Sequence, residues 1–349
     1  MKVLLLGGNG LLGHNVLKQL LQQGHEVHAL LRSSLDRGAM QWLGMGEMKS
    51  LKKEGVKDGE KTRSIANSRF TLFSGSLLDD DMLLRAAQGC EAIINCAGVT
   101  DMSLLHYDDY LPVNRDLCHR LVNVMERIDI ACLVHTSTAN TIGYGLPLQP
   151  ANEQAPMQPP FSQSYYAQSK REGEEILLNA ARLHANWHII VVNPGFMIGP
   201  FDTKPSSGAL LLAGYRKPIM ITPCGGKSFV HVADAATAIV NALTMGRSGR
   251  RYLLTGQNLS LKQFYKIQSR TCGYRQLLLP LPNQLLTVAG WCGDLLRRCG
   301  VRTQLSTRNV RQLMVKEYYD NTQAQHDLQL PQTTITQAIT DFFGWYKTH

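Results

Sequence analysis

The sequence predicts an α/β fold: a doubly wound parallel sheet with a small C-terminal lobe. Two observations point there. Short runs of Val, Ile and Leu alternate with helical patterns through the first two thirds of the chain, and a turn with glycines three apart, GGNGLLG, follows the first run. Continuous apolar runs separated by helices belong to parallel strands buried on both faces, because crossover helices cover both sides of such a sheet.

The elements follow in order. KVLLL (2–6) reads as a short buried strand, and LLGHNVLKQLLQQG (11–24) has helical periodicity with Gly24 as its stop. HEVHALLR (25–32) is a second strand and FTLFSGS (70–76) a third. The Asp79–Asp81 run caps a helix through Gln88. EAIINCAG (91–98) is a fourth strand, followed by a helix over roughly 110–126. DIACLVHTST (129–138) is a fifth strand, a helix covers about 164–183, and WHIIVVNPG (187–195) is a sixth strand. After residue 195 the pattern turns irregular, with strand-like KSFVHVA (227–233) and RRYLLTG (250–256) between helical pieces. The division this suggests is a main domain of 1–194 plus 227–256, and a lobe of 195–226 plus 257–349. Residues 33–69 are long for a connection and hydrophilic over Lys49–Arg63, so they read as a mobile insertion.

Bulk properties exclude several classes. The 349 residues are 44% hydrophobic and 18% charged, as in an ordinary globular protein. A formal charge of +9 favours anionic ligands. Basic residues cluster at Lys49–Arg63 and Arg297–Arg311, but no nucleic-acid-binding motif accompanies them. None of the eight cysteines forms Cys-x-x-Cys, which suits reduced, buried thiols in a cytoplasmic protein and no metal site. The apolar stretch 277–296 contains Pro280, Pro282, Asn283, Gln284 and Asp294, too polar to span a bilayer. It reads as an amphipathic helix packed on the domain, with a place on a membrane surface as the alternative.

Within GGNGLLG each glycine has a physical task. Gly7 permits the tight turn, Gly10 lets a diphosphate approach the backbone, and Gly13 lets the helix pack close to the strand. The free N–H groups of the helix start then face the phosphates. Further along, SYYAQSK (164–170) places Tyr166 four residues before Lys170, one helical turn away.

Together these features resemble the extended short-chain dehydrogenase/reductase family, also described as the NAD-dependent epimerase/dehydratase family. Its members include nucleotide-sugar epimerases, dihydroflavonol-reductase-like enzymes and 3β-hydroxysteroid dehydrogenases. The resemblance covers nearly the whole chain. INCAG (94–98) is similar to the family strand under the cofactor, VN (113–114) to its helix asparagine, and HTST (135–138) to the strand end with the catalytic hydroxyl, here Thr138. NPGFMIGP (193–200) is similar to the segment beside the nicotinamide, and SFVHVADAA (228–236) to a late family signature.

The resemblance implies a Rossmann-like sheet with a substrate-binding lobe, and roles for particular residues. Tyr166 is the proton donor, Lys170 lowers its pKa from about 10 and holds the ribose, and Thr138 hydrogen-bonds the reacting oxygen. Asn114 fixes the backbone around Lys170, and Tyr165 has no chemical part. Gly7, Asn9, Gly10, Leu11, Leu12, Gly13, Ser76, Leu77, Cys96, Ala97, Gly98, Pro194 and Phe196 contact the cofactor. Ser76 departs from the aspartate that many members carry near the adenine. Arg32, with no acid before Asp36, favours NADP(H) over NAD(H). Thr100, Met102, Met197 and Ser206 stand on the substrate side. His231 is a structural histidine and Asp234 an N-cap.

Dehydratases carry Asp-Glu after the catalytic hydroxyl, whereas Thr138 precedes Ala139 and Asn140. The expectation is therefore a carbonyl reductase or alcohol dehydrogenase acting on a small, partly apolar substrate. The alternatives are a nucleotide-sugar epimerase with tightly held NAD and a non-catalytic dinucleotide-binding regulator. A homodimer through 110–126 and 164–183 follows from the same resemblance.

Overall fold

Strand β1 (Lys2–Leu6) occupies the middle of the sheet, and Val3 to Leu6 are fully buried. Its side chains divide between two apolar layers. Val3 and Leu5 join one, and Leu4 and Leu6 join the other, because successive strand residues point to opposite faces. That is why the run shows no polar alternation. The computed structural model describes residues 1–32, 49–50, 62–64, 69–203 and 207–348, with the backbone alone for 49–50 and 62–64.

The remaining strands of this sheet are β2 (Glu26–Leu31), β3 (Lys49–Ser50), β4 (Thr62–Ser64), β5 (Phe70–Ser74), β6 (Ala92–Asn95), β7 (Cys132–Thr136), β8 (His188–Pro194) and β12 (Arg250–Leu254). They run in the order β12-β8-β7-β6-β1-β2-β5-β4-β3. Every pairing from β12 to β5 is parallel, and β4 and β3 add antiparallel strands at the edge. The chain winds outward from β1 through β2 to β5, then returns to β6 on the other side of β1. This reversal opens a crevice beyond the C-terminal ends of β1 and β6.

Helices α1 (Leu11–Gln22) and α6 (Val232–Asn241) pack together over one face, through Val16, Leu17 and Leu20 and through Ala235, Ala238 and Ile239. Helices α2 (Asp80–Ala87), α3 (Leu117–Ile128) and α4 (Tyr165–Leu183) cover the other, through Leu83, Leu121 and Leu177. Fully burying each Leu or Ile is worth about 1.5–3 kcal/mol, so these two layers dominate the stability.

A third apolar cluster lies outside the large sheet. It joins α5 (Gly208–Gly214), α7 (Leu261–Thr271) and α11 (Ile335–Tyr346) through Leu211, Phe264, Ile339 and Phe342. Here β9 (Phe196–Ile198), β11 (Gly226–His231) and β13 (Gln257–Ser260) form a three-stranded sheet, and β10 (Ile219–Thr222) pairs in parallel with β14 (Leu277–Pro280). The chain continues through α8 (Asn283–Arg298), α9 (Thr307–Gln312) and α10 (Thr322–Leu328).

Several expectations change. The segment expected as one helix over 110–126 begins as a 3-10 turn (Tyr107–Asp109) and a π-helical turn (Pro112–Asp116) before α3. Asp234 is not the N-cap of its helix. His231 caps it, accepting the Ala233 amide at 2.9 Å on Nδ1, because β11 ends there in extended backbone. Asp234 is the third helical residue and instead accepts the Thr333 amide at 2.7 Å and hydroxyl at 2.8 Å. His231 also meets Asp341 through Nε2 at 3.0 Å, a structural use as expected. All eight cysteines are free, but Cys224, Cys292 and Cys299 are exposed, so the expectation of burial fails for those three. The expected insertion lies mostly outside the described residues. No helix among the described residues is long and apolar enough to cross a membrane.

Candidate active site

The glycine turn lies where β1 gives way to α1. Gly7 has φ +76°, and a Cβ there would stand 2.6 Å from the Ala97 nitrogen at the end of β6. A Cβ on Gly13 would lie 2.0 Å from the Gly7 carbonyl oxygen. Both positions therefore exclude any side chain, and the turn stays pressed against β6. Gly10 is the N-cap of α1 and supplies no side-chain cap, which leaves the first amides of the helix facing outward.

A cavity of about 240 Å³ opens in front of this turn. Gly7, Asn9, Gly10, Arg32, Ser76, Leu77, Cys96, Ala97 and Gly98 all line it, so nine expected cofactor residues from four separate segments converge. Leu11, Leu12 and Gly13 form the first turn of α1 behind it. Arg32 is exposed at the end of β2, and the Ser76 hydroxyl accepts the Leu78 amide at 3.1 Å. A side-chain-free cradle, an uncapped helix start and an exposed guanidinium fit the diphosphate and adenosine end of a dinucleotide.

Helix α4 contributes Tyr166, Lys170 and Glu174 at intervals of four, on one face. Lys170 is buried, and its Nζ donates to the carbonyl oxygens of Thr136 at 2.7 Å and Ala97 at 3.4 Å. Gly98 leaves space for it, since a Cβ there would come within 3.2 Å of Nζ. Burial lowers the Lys170 pKa, partly offset by Cys118, Glu174 and Cys96.

Tyr166 corrects one expectation. Burial raises its pKa above the ordinary value of 10.0, the nearby Thr138 side chain partly opposes this, and the Glu174 carboxylate adds to the rise. The expected lowering by Lys170 is not seen: loss of solvent around the phenol disfavours phenolate and outweighs the opposing Thr138 side chain. Thr138 itself is buried just beyond β7, where its hydroxyl caps the turn Ala139–Thr141 by accepting the Asn140 amide at 3.3 Å.

Asn114, fully buried in the π-helical turn, donates to Ser169 Oγ at 3.0 Å and to the Val99 carbonyl at 3.0 Å. It thereby ties the end of the β6 segment directly to the residue before Lys170. Single π-helical turns of this kind occur at functional sites.

The other expected residues are more dispersed. Pro194 is buried at the end of β8, and Phe196 packs edge-on against Phe229 at 5.4 Å. Met197 is partly buried against the core. Thr100 is exposed, and the Met102 carbonyl accepts from Asn309 at 3.1 Å and Arg297 at 3.4 Å. None of these five lines the cavity above. Ser206 lies outside the described residues. Tyr165 is occupied structurally, with its ring beside Tyr107 at 5.6 Å and under the Arg308 guanidinium at 3.6 Å.

Sequence reasoning missed Glu174. It is fully buried, with Oε1 accepting from Thr141 Oγ1 at 2.5 Å and Asn193 Nδ2 at 2.6 Å. Asn193 also donates to the Thr138 carbonyl at 3.1 Å, so Glu174 supports the backbone that carries the threonine. Burial raises the Glu174 pKa, opposed by the Ser137 and Thr141 hydroxyls and by Arg251. Its place eight residues after Tyr166, on the same helix face, was the available signal.

Residues 3–254 match the model of the NAD dependent epimerase/dehydratase family. The chain is 27% identical over 359 residues to a Synechocystis sp. protein named for dihydroflavonol 4-reductase, covering 98% of this chain and 94% of that one. It is 27% identical over 305 residues to a Stigmatella aurantiaca ketoreductase of a farnesylated dihydroquinoline oxide, covering 85% and 81%. Among solved structures, the UDP-glucuronic acid 4-epimerase of Bacillus cereus, in complex with UDP-glucuronic acid and NAD, superposes with TM-score 0.74 at 16% identity, covering 100% and 99%.

Proposed function

The chain belongs to the NAD-dependent epimerase/dehydratase family, and from that premise we propose that it is an NADP(H)-dependent oxidoreductase interconverting a secondary alcohol and a ketone or aldehyde on a small, partly apolar substrate. The coarser part follows from membership: it is an NAD(P)-dependent enzyme of the extended short-chain dehydrogenase/reductase type.

The single observation that carries the reading is the placement of Tyr166 and Lys170 one turn apart on one face of α4, with Lys170 Nζ donating to the Thr136 carbonyl on the strand end that leads to Thr138. Hydride transfer is the chemistry that the nicotinamide supplies when bound. The residues around it handle the proton. Tyr166, a neutral phenol at physiological pH, donates its phenolic proton to the oxygen that becomes an alkoxide. Thr138 orients that oxygen against the phenol. Lys170 and Asn114 keep the 96–99 segment and α4 in fixed relation, so that donor and carbonyl meet in one geometry. In this reading Arg32, which lines the cavity, receives the ribose 2′-phosphate.

The relatives named as reductases act, by name, on carbonyl substrates with apolar parts, which supports a net reductase. The epimerase reading keeps the same residues and differs in holding NAD and the ketone intermediate through turnover. A homodimer built on α3 and α4 belongs to the same proposal.

Calorimetric titration of the purified protein with NADP(H) and with NAD(H), after assaying it for retained nucleotide, tests the reading. Preference for NADP(H), with no nucleotide carried through purification, is expected. Tightly retained NAD would overturn it in favour of the epimerase.

A further inference from the structure

Exposed apolar side chains are unevenly distributed. Of the seventeen exposed large hydrophobics among the described residues, eleven fall within β10, β14 and the segment from α8 to Leu305. In the β10–β14 ribbon the parallel register sets Ile219 beside Leu277 and Ile221 beside Leu279. All four are exposed, whereas the intervening Met220 and Leu278 turn inward to the third core. The ribbon therefore presents an outer face made wholly of branched aliphatics.

Helix α8 follows the ribbon directly. Leu281 donates its amide to the Thr222 carbonyl at 2.8 Å, so the helix starts directly from the ribbon. Leu286, Gly290 and Gly293 are its buried positions, where added Cβ atoms on the glycines would collide with Thr307, Val310 and Leu305. On the opposite side, Leu285, Val288, Trp291 and Leu295 are exposed, with Trp291 and Leu295 each at 63%. At about 100° per residue, these four lie within an arc of roughly 120°. The helix is thus apolar on the face turned away from the protein.

The exposed charges that flank these elements along the chain are basic. Arg216 and Lys217 precede β10, and Arg275 precedes β14. Arg298 and Arg302 follow the exposed stripe of α8, and all five are exposed. Over 271–316 the only acidic residue is Asp294, and it is engaged by the Thr307 amide at 3.1 Å and the Thr307 hydroxyl.

We propose that this face, α8 with the outer side of the β10–β14 ribbon, rests on a bilayer surface containing anionic lipid. The leucines, Val288 and Trp291 enter the boundary of the acyl region, and the flanking arginines and lysine meet lipid phosphates. Trp291 suits such a boundary because its ring is apolar and its N–H is polar. A second copy of the chain fits the face less well. A two-fold contact would bring one arginine group near its symmetry mate, with Asp294 already engaged.

The test uses the full chain and reads binding without turnover, so it is separate from the catalytic proposal. Co-sedimentation would be measured with vesicles of phosphatidylcholine alone and with about one third phosphatidylglycerol. Binding at least about tenfold tighter to the anionic vesicles is expected, weakening as salt screens the charges. A Val288→Glu/Leu295→Glu variant, altered only at exposed positions and checked for folding by circular dichroism, should lose the binding. An Arg298→Ala/Arg302→Ala variant should weaken it by about fivefold per arginine. Three results overturn the proposal: no binding to either vesicle, unchanged binding by the glutamate variant, or a concentration-dependent dimer that the glutamate variant abolishes.

Discussion

Asn114 holds two segments together: its Oδ1 accepts the Val99 amide at 2.8 Å, and its Nδ2 donates to Ser169 Oγ at 3.0 Å. Val99 follows the strand end under the cavity, and Ser169 precedes Lys170. Replacement by Leu would leave the Val99 amide and carbonyl without their partner, at about 1–3 kcal/mol, and would remove the donor to Ser169 Oγ, which keeps its own bond to the Tyr166 carbonyl. Urea denaturation of Asn114→Leu should show a loss of that order. Ser169→Ala, which spares the Val99 contacts, should lose less. Equal losses would mean that the Val99 contacts contribute nothing.

In the proposed reading Tyr166 is the proton donor, and its raised pKa then sets the pH dependence of ketone reduction. The neutral phenol is the donor, so activity is full below the pKa and falls as pH rises through it. The alkaline limb of kcat/KM should therefore lie above pH 10.0. Tyr166→Phe should lower kcat by about 10²–10⁴-fold while leaving the NADPH dissociation constant unchanged. A limb near neutrality would show instead that Lys170 lowers the phenol in the working complex.

Arg32 stands at the edge of the cavity with an exposed side chain. Arg32→Ala should weaken NADPH binding by about tenfold or more, the scale of one charge-assisted contact, and leave NADH nearly unaffected. Calorimetry on the variant checks this. Equal losses for both nucleotides would remove the arginine from 2′-phosphate recognition.

Glu174 makes folding stability depend on pH. Its folded pKa is raised, so the folded state holds the proton more tightly than the unfolded chain. The resulting stability is present below the unfolded value near 4.5 and is lost as pH rises through the raised value. Glu174→Gln keeps an oxygen for Thr141 and Asn193 but cannot ionise. Thermal melts from acid to neutral pH should show the variant gaining on the wild type as pH increases. A constant difference would assign the pH dependence to other groups.

Local chemistry made much of this protein legible from its sequence. The Val3–Leu6 run needs burial on both faces, which only a covered parallel sheet provides. Gly7 and Gly13 report positions where no side chain fits, and four-residue spacing alone puts Tyr166 and Lys170 on one helix face. These properties depend on a few adjacent residues, so the sequence by itself determined the α/β class, the glycine cradle and the tyrosine–lysine pair.

Tertiary structure decided what depends on distant partners. Glu174 meets Asn193, and Lys170 turns to the Thr136 and Ala97 carbonyls, through contacts that cross from helix to sheet. His231 caps α6, and Asp234 is taken by Thr333, 99 residues further along. The π-helical turn around Asn114 and the outward apolar face of α8 likewise required knowing what packs on each side. Periodicity reports that a helix has an apolar stripe, but only the folded chain shows which side its glycines bury.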